Sequence, residues 1–129
     1  MKSMLSFVVA LALFNFVFVA RAADAKNITV DEAAKMLKTD TNVMVLDVRT
    51  PKEFEAGHIK GATNINFNDK DFAKRVDALD KSRTYIVHCA AGGRSARACE
   101  KINKMDFKSM LHMNQGFNEW KESGKPIEK

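Results

Sequence analysis

Two short runs, Val43-Met44-Val45-Leu46-Asp47-Val48 and Thr84-Tyr85-Ile86-Val87-His88, narrow the possible architectures more than anything else in the sequence. A strand with one wet face alternates apolar and polar residues, whereas a run that is apolar on consecutive positions must be covered on both sides. Such strands occur in parallel sheets, whose crossover connections place helices on the two faces. The segments around these runs are amphipathic, so the alternation predicts an α/β fold with a central parallel sheet and helices on both faces.

The individual elements follow from local chemistry. Thr29 and Glu32 form a capping-box pattern ahead of a helix from about Val30 to Lys38, with Ala33, Ala34 and Leu37 facing inward. Pro51 opens a short helix through Ala56, and Gly57 can supply the left-handed residue that stops it. Residues 62–66 form a weak strand, and Asp71 to Leu79 a helix with Phe72, Val76 and Leu79 on one face. After the second apolar strand, Ala96 to Met105 returns as a helix. Ser109 to Met113 is a further strand, and Phe117 to Ser123 a closing helix that ends near Gly124 and Pro126. Phe107, Phe117 and Trp120 read as core.

The first 22 residues have a different logic. Lys2 precedes an apolar run from Met4 to Ala20, which ends in Ala20-Arg21-Ala22. This is the layout of a secretory signal peptide cut before Ala23, leaving residues 23–129 as a single domain. The alternative, an uncleaved anchor, is at the short edge of the roughly 17 to 25 residues that span a bilayer. Cleavage leaves no stable membrane insertion and places the mature chain in the periplasm or outside the cell. It removes two basic residues and no acid from a net charge of +5, so the mature chain is only mildly basic. Its positive residues interleave with acids, which argues against a nucleic-acid surface and is compatible with a small anionic substrate.

The chemistry concentrates in the loop Cys89-Ala90-Ala91-Gly92-Gly93-Arg94-Ser95. In an open parallel sheet ligands bind beyond the carboxyl ends of the strands, and Cys89 stands at such an end, before a loop of small residues and a helix start. Amides turned inward there stabilise a thiolate and lower its pKa, and Arg94 adds a fixed positive charge. A disulfide between Cys89 and Cys99 is disfavoured, because a strand-end residue and one inside the next helix lie too far apart; Cys99 is expected in the core. Asp47, Arg49 and Glu53 are expected to pair with one another as structural ions. The His58 ring is expected to bond local backbone. His88 precedes Cys89 in the chain and therefore points to the opposite face, away from the thiol. The three histidines, including His112, show no metal-ligand spacing, and Asn27-Ile28-Thr29 is a weak glycosylation match.

Three ordered motifs then resemble the rhodanese family. Residues Leu46 to Pro51, with Glu53-Phe54 and Gly57-His58-Ile59-Lys60-Gly61-Ala62, are similar to its amino-terminal stretch. The Cys89–Ser95 loop resembles the active-site loop of single-domain members, and Gly116-Phe117, Trp120, Gly124 and Pro126 fit its carboxyl end. The likeness spans about residues 27–127, with Gln115-Gly116 where many members have a glycine pair. It implies sulfur transfer through a Cys89 persulfide, from thiosulfate or a related donor to cyanide or a thiol, without a metal or cofactor. It further implies that Ala90 to Gly93 form an amide cradle and that Arg94 faces the donor or persulfide, with Ser95 completing the substrate-binding loop. Two rival readings remain. Cysteine phosphatases and arsenate reductases carry a similar loop with five residues between cysteine and arginine, where this chain has four; a non-catalytic sulfur carrier or binding module is the other.

Overall fold

The computed structural model describes residues 25–129, so the expected signal peptide and its cleavage site lie outside the described residues. Seven strands and five helices follow one another. They are β1 (Lys26–Asn27), α1 (Val30–Thr39), β2 (Val43–Asp47), α2 (Pro51–Ala56), β3 (His58–Ile59), β4 (Thr63–Asn64), α3 (Phe72–Asp77), β5 (Thr84–His88), α4 (Gly93–Ile102), β6 (Ser109–His112), α5 (Gly116–Glu122) and β7 (Ile127–Glu128). Five strands form one sheet in the order β1-β6-β5-β2-β4, every pairing parallel, with the two apolar runs β5 and β2 side by side near its centre. A separate antiparallel pair, β3 with β7, fastens the carboxyl end of the chain; neither β1 nor this pair is evident from sequence pattern.

The two faces of the sheet carry separate cores. Leu46, Val48, Tyr85 and Val87 pack with Phe72 and Val76 of α3 and with Ala98, Cys99 and Ile102 of α4. On the other face Val43, Val45 and Ile86 meet Val30 and Ala33 of α1 and Phe117 and Trp120 of α5. Alternate residues of the same strand thus feed opposite cores, which is why these runs are apolar throughout. The expected layering is what the fold shows.

Local signals act as anticipated, with two corrections, the first being that α4 runs from Gly93 to Ile102 and not from Ala96 to Met105. Both α1 and α2 begin with a reciprocal capping box, Thr29 with Glu32 and Thr50 with Glu53, the second hidden by Pro51 and the short length of the helix. Gly57 does end α2, but at φ 158° and ψ 138°, outside the left-handed helical well expected of it. The chain leaves in extended geometry because β3 starts at the next residue. Among the described residues no helix is long and apolar enough to cross a membrane.

Candidate active site

Because all five strands of the main sheet run the same way, their carboxyl ends share one edge. The register aligns Asn27 of β1 with His112 of β6, His112 with Val87 of β5, and Asp47 of β2 with His88. Cys89 is the first residue past β5, so it emerges at this edge, and the chain turns at once through Ala90–Gly92 into α4. Gly92 takes φ 101°, where a Cβ would lie 2.4 Å from the Asn114 carbonyl oxygen; only glycine permits this turn.

The loop closes around the sulfur. Gly92 N–H donates to Cys89 Sγ at 3.1 Å, the Ser95 hydroxyl approaches it at 3.3 Å, and the Ala91 and Ser95 amides turn toward it as well. Burial raises the pKa of the thiol, but the combined hydrogen bonds outweigh that penalty and hold it below the ordinary cysteine value. The amides that meet the sulfur are those of Ala91, Gly92 and Ser95, while the Ala90 carbonyl accepts from Asn118 N–H.

Cys89 is only 1% exposed, enclosed by its own loop. Arg94, expected to face the donor or persulfide, has its guanidinium gripped by both carboxylate oxygens of Glu53, at 2.7 and 3.0 Å. That bond holds the Glu53 carboxyl down at about 2. Glu53 consequently does not join Asp47 and Arg49, which pair with each other: Arg49 Nη2 lies 2.7 Å from Asp47 and bonds the Gly57 carbonyl, the guanidinium covers the Phe117 ring, and His88 Nε2 lies 3.7 Å from Asp47 Oδ2. Geometry decides this, because Arg49 follows β2 so closely that its side chain folds back onto Asp47, leaving Glu53 to reach across to α4.

Cys99, His58 and His88 lie where the sequence places them. Cys99 is a free, buried thiol, and burial followed by the nearby Cys89 charge pushes its pKa up to about 12. His58 Nδ1 lies 2.8 Å from the Phe54 carbonyl. The buried His88 ring stacks on Phe117, on the face opposite the cysteine; burial lowers its pKa, and its Nε2 has no hydrogen-bond partner. Among the described residues no group of side chains could hold a metal ion.

Sequence reasoning overlooked three participants. Glu53 positions Arg94, and His112 Nε2 lies 2.7 Å from Ser95 Oγ, with Asn27 Oδ1 3.2 Å from the other ring nitrogen. None has a local signal, since each is brought to the loop from a distant element. Gln115 also finds a role: its side-chain carbonyl accepts from the Val30 N–H at the start of α1, so the departure from a glycine pair ties two helices together.

A model of the rhodanese-like domain matches residues 29–123, which includes every residue of the cysteine loop. The chain belongs to this family. A solved rhodanese-related protein from Thermoplasma volcanium superimposes on the domain with a TM-score of 0.71 and 28% identity, covering 80% of this chain and 97% of that one. Thiosulfate sulfurtransferase 16 of Arabidopsis thaliana is 33% identical over 91 residues, 63% of this chain and 76% of that protein. The probable adenylyltransferase/sulfurtransferase MoeZ of Mycobacterium tuberculosis is 30% identical over 107 residues, 83% of this chain; the chain spans only 27% of MoeZ. This rhodanese-like domain is thus related to the sulfurtransferase superfamily.

Proposed function

We propose that the domain is a sulfurtransferase in which Cys89 carries sulfur as a persulfide. The observation that carries the reading is the inward-facing set of N–H and O–H donors around Cys89 Sγ, which suits a sulfur anion in a site otherwise shut off from water. The thiolate attacks the outer sulfur of thiosulfate or a related donor; the donor's S–S bond breaks, and sulfite departs with the electron pair. Cyanide or a thiolate then attacks the outer sulfur of the Cys89 persulfide, and Cys89 leaves again as a thiolate. The donor reaches the sulfur across the rim of Ala91 and Gly93, both exposed and both small. Arg94, neutralised in part by Glu53, gives the rim a mild preference for anions. The likeness to a thiosulfate sulfurtransferase supports the choice of donor, and the four-residue interval from Cys89 to Arg94 weighs against phosphatase chemistry. We further propose that residues 1–22 export the domain to the periplasm or beyond, on the strength of the apolar run ending in Ala20-Arg21-Ala22.

Thiosulfate treatment of purified protein should add about 32 Da, one sulfur atom, to Cys89. Cyanide or a thiol should remove it with turnover, and Cys89→Ser should abolish both steps while Cys99→Ser retains them. Hydrolysis of an aryl phosphate without sulfur transfer refutes the reading in favour of a phosphatase. A stable persulfide that no acceptor discharges points to a carrier.

A further inference from the structure

Behind the cysteine loop runs a chain of hydrogen-bonding groups that sulfur transfer, as described above, leaves unused. Ser95 is completely buried, and its hydroxyl has three neighbours: Cys89 Sγ at 3.3 Å, the Gly92 carbonyl at 3.1 Å and His112 Nε2 at 2.7 Å. A hydroxyl has one proton to give, and the shortest of these contacts is to the imidazole. The opposite ring nitrogen, Nδ1, lies 3.2 Å from Asn27 Oδ1, an oxygen that can only accept. Nδ1 therefore carries the proton of the neutral ring, and Nε2 presents its lone pair to Ser95. His112 is 7% exposed, while Asn27 stands at the surface, so the chain runs from an enclosed sulfur to solvent.

We propose that His112 is the proton acceptor of Cys89, acting through Ser95. In this step the Cys89 S–H bond breaks as its proton passes to Ser95 Oγ, and the Ser95 O–H bond breaks as its own proton passes to His112 Nε2. The hydroxyl is restored, with its new proton turned toward sulfur, and the site holds a thiolate and an imidazolium. No group is consumed, and the reverse transfer regenerates the thiol. His112 is a positioning residue on this account, since it meets neither donor nor acceptor. The inference rests on the reading of Cys89 as a nucleophile and adds the base that the loop lacks.

The charges around the pair favour this assignment. Arg94 is paired with Glu53, which offsets part of its field at the sulfur, and the groups that touch the enclosed anion are neutral donors, the loop amides and the Ser95 hydroxyl. A second positive group one hydroxyl away supplies the missing compensation. Around the imidazole, β5 contributes His88, which is neutral and stacked on the far face. Helix α4 contributes Cys99 and Glu100, which line a cavity of about 270 Å³ together with His112; strand β1 contributes the side-chain amide of Asn27. Burial holds the His112 pKa below the ordinary histidine value, which keeps the resting ring neutral and able to receive a proton.

The test reads the two protonations separately from sulfur transfer. Linkage is reciprocal: if the Cys89 thiolate raises the proton affinity of His112, the imidazolium must favour the thiolate equally. The His112 ring is followed by NMR titration in the unsubstituted protein, before and after Cys89 is blocked with iodoacetamide. Blocking should lower the His112 midpoint by about one unit or more. Alkylation of Cys89 is then measured against pH in His112→Gln, which can hold the hydrogen bonds but not the proton. Its midpoint should rise by a similar amount, so that at pH 6 the labelling rate falls about tenfold, while the rates converge above pH 9. A purely structural role would leave both midpoints in place. An unmoved His112 midpoint, or a folded His112→Gln protein with an unmoved Cys89 midpoint, overturns the proposal. Should the two titrations shift together in a protein that transfers no sulfur, the sulfurtransferase reading fails and the proton relay stands.

Discussion

Replacing Gly116 by alanine places one methyl group where the structure has no room for it. Gly116 opens α5 at φ 77°, and a Cβ there would lie 2.3 Å from the Ala90 carbonyl oxygen, 2.6 Å from its carbon and 2.9 Å from the Ala91 nitrogen. All three are backbone atoms of the cysteine loop, so no rotamer change relieves the overlap. The loop is further pinned to α5 by Phe117 N–H to the Cys89 carbonyl at 2.8 Å and Asn118 N–H to the Ala90 carbonyl at 3.0 Å. A side chain at positive φ costs about 1–2 kcal/mol, and forced overpacking about 1–3 kcal/mol more. The sum of about 2–5 kcal/mol, at about 4 °C per kcal/mol for a domain of this size, corresponds to a fall in Tm of about 8–20 °C. Gly61→Ala is the control. Gly61 has nearly the same φ, 78°, but a Cβ there would have nothing within 4 Å, so only the backbone cost of about 1–2 kcal/mol applies. Thermal unfolding followed by circular dichroism measures both. If Gly116→Ala melts within about 2 °C of Gly61→Ala, the close approach of α5 to the loop is wrong, and with it the account of how the loop is held.

Other consequences are open to direct measurement. Glu53 ionises in the unfolded chain near 4.5 but near 2 in the fold, so the stability it contributes is present above 4.5 and lost as the pH falls toward 2. Glu53→Gln should therefore lower the Tm at pH 7 by an amount worth about 1 kcal/mol, kept small by the solvent around the pair, and the gap to wild type should close over that acidic window. Cys99, whose ordinary value of 9.0 is pushed up to about 12, contributes stability below 9 that is lost as the pH rises toward 12. Cys99→Ala should flatten that alkaline slope in denaturant titrations, and at pH 8 the native protein should take label at Cys89 but not at Cys99. Gln115→Ala removes the acceptor for Val30 N–H and should cost about 0.5–1.5 kcal/mol in chemical denaturation; no loss would mean that water serves α1 equally well.

The sequence by itself determined much of what depends on near neighbours. Consecutive apolar residues in β2 and β5 demanded two cores, the Thr29–Glu32 box started α1, and the small residues after Cys89 allowed amides to turn onto its sulfur. What these signals could not carry was the identity of spatial neighbours, because a strand's pattern records that both faces are covered and not which elements cover them. Tertiary structure decided that Glu53, 41 residues before Arg94, takes that guanidinium, and that Asn27 meets His112 across 85 residues. It also decided that the cysteine would be enclosed. The physical reason is the parallel sheet, which brings the carboxyl ends of strands distant in sequence to one edge and lets side chains with no local signature complete one site.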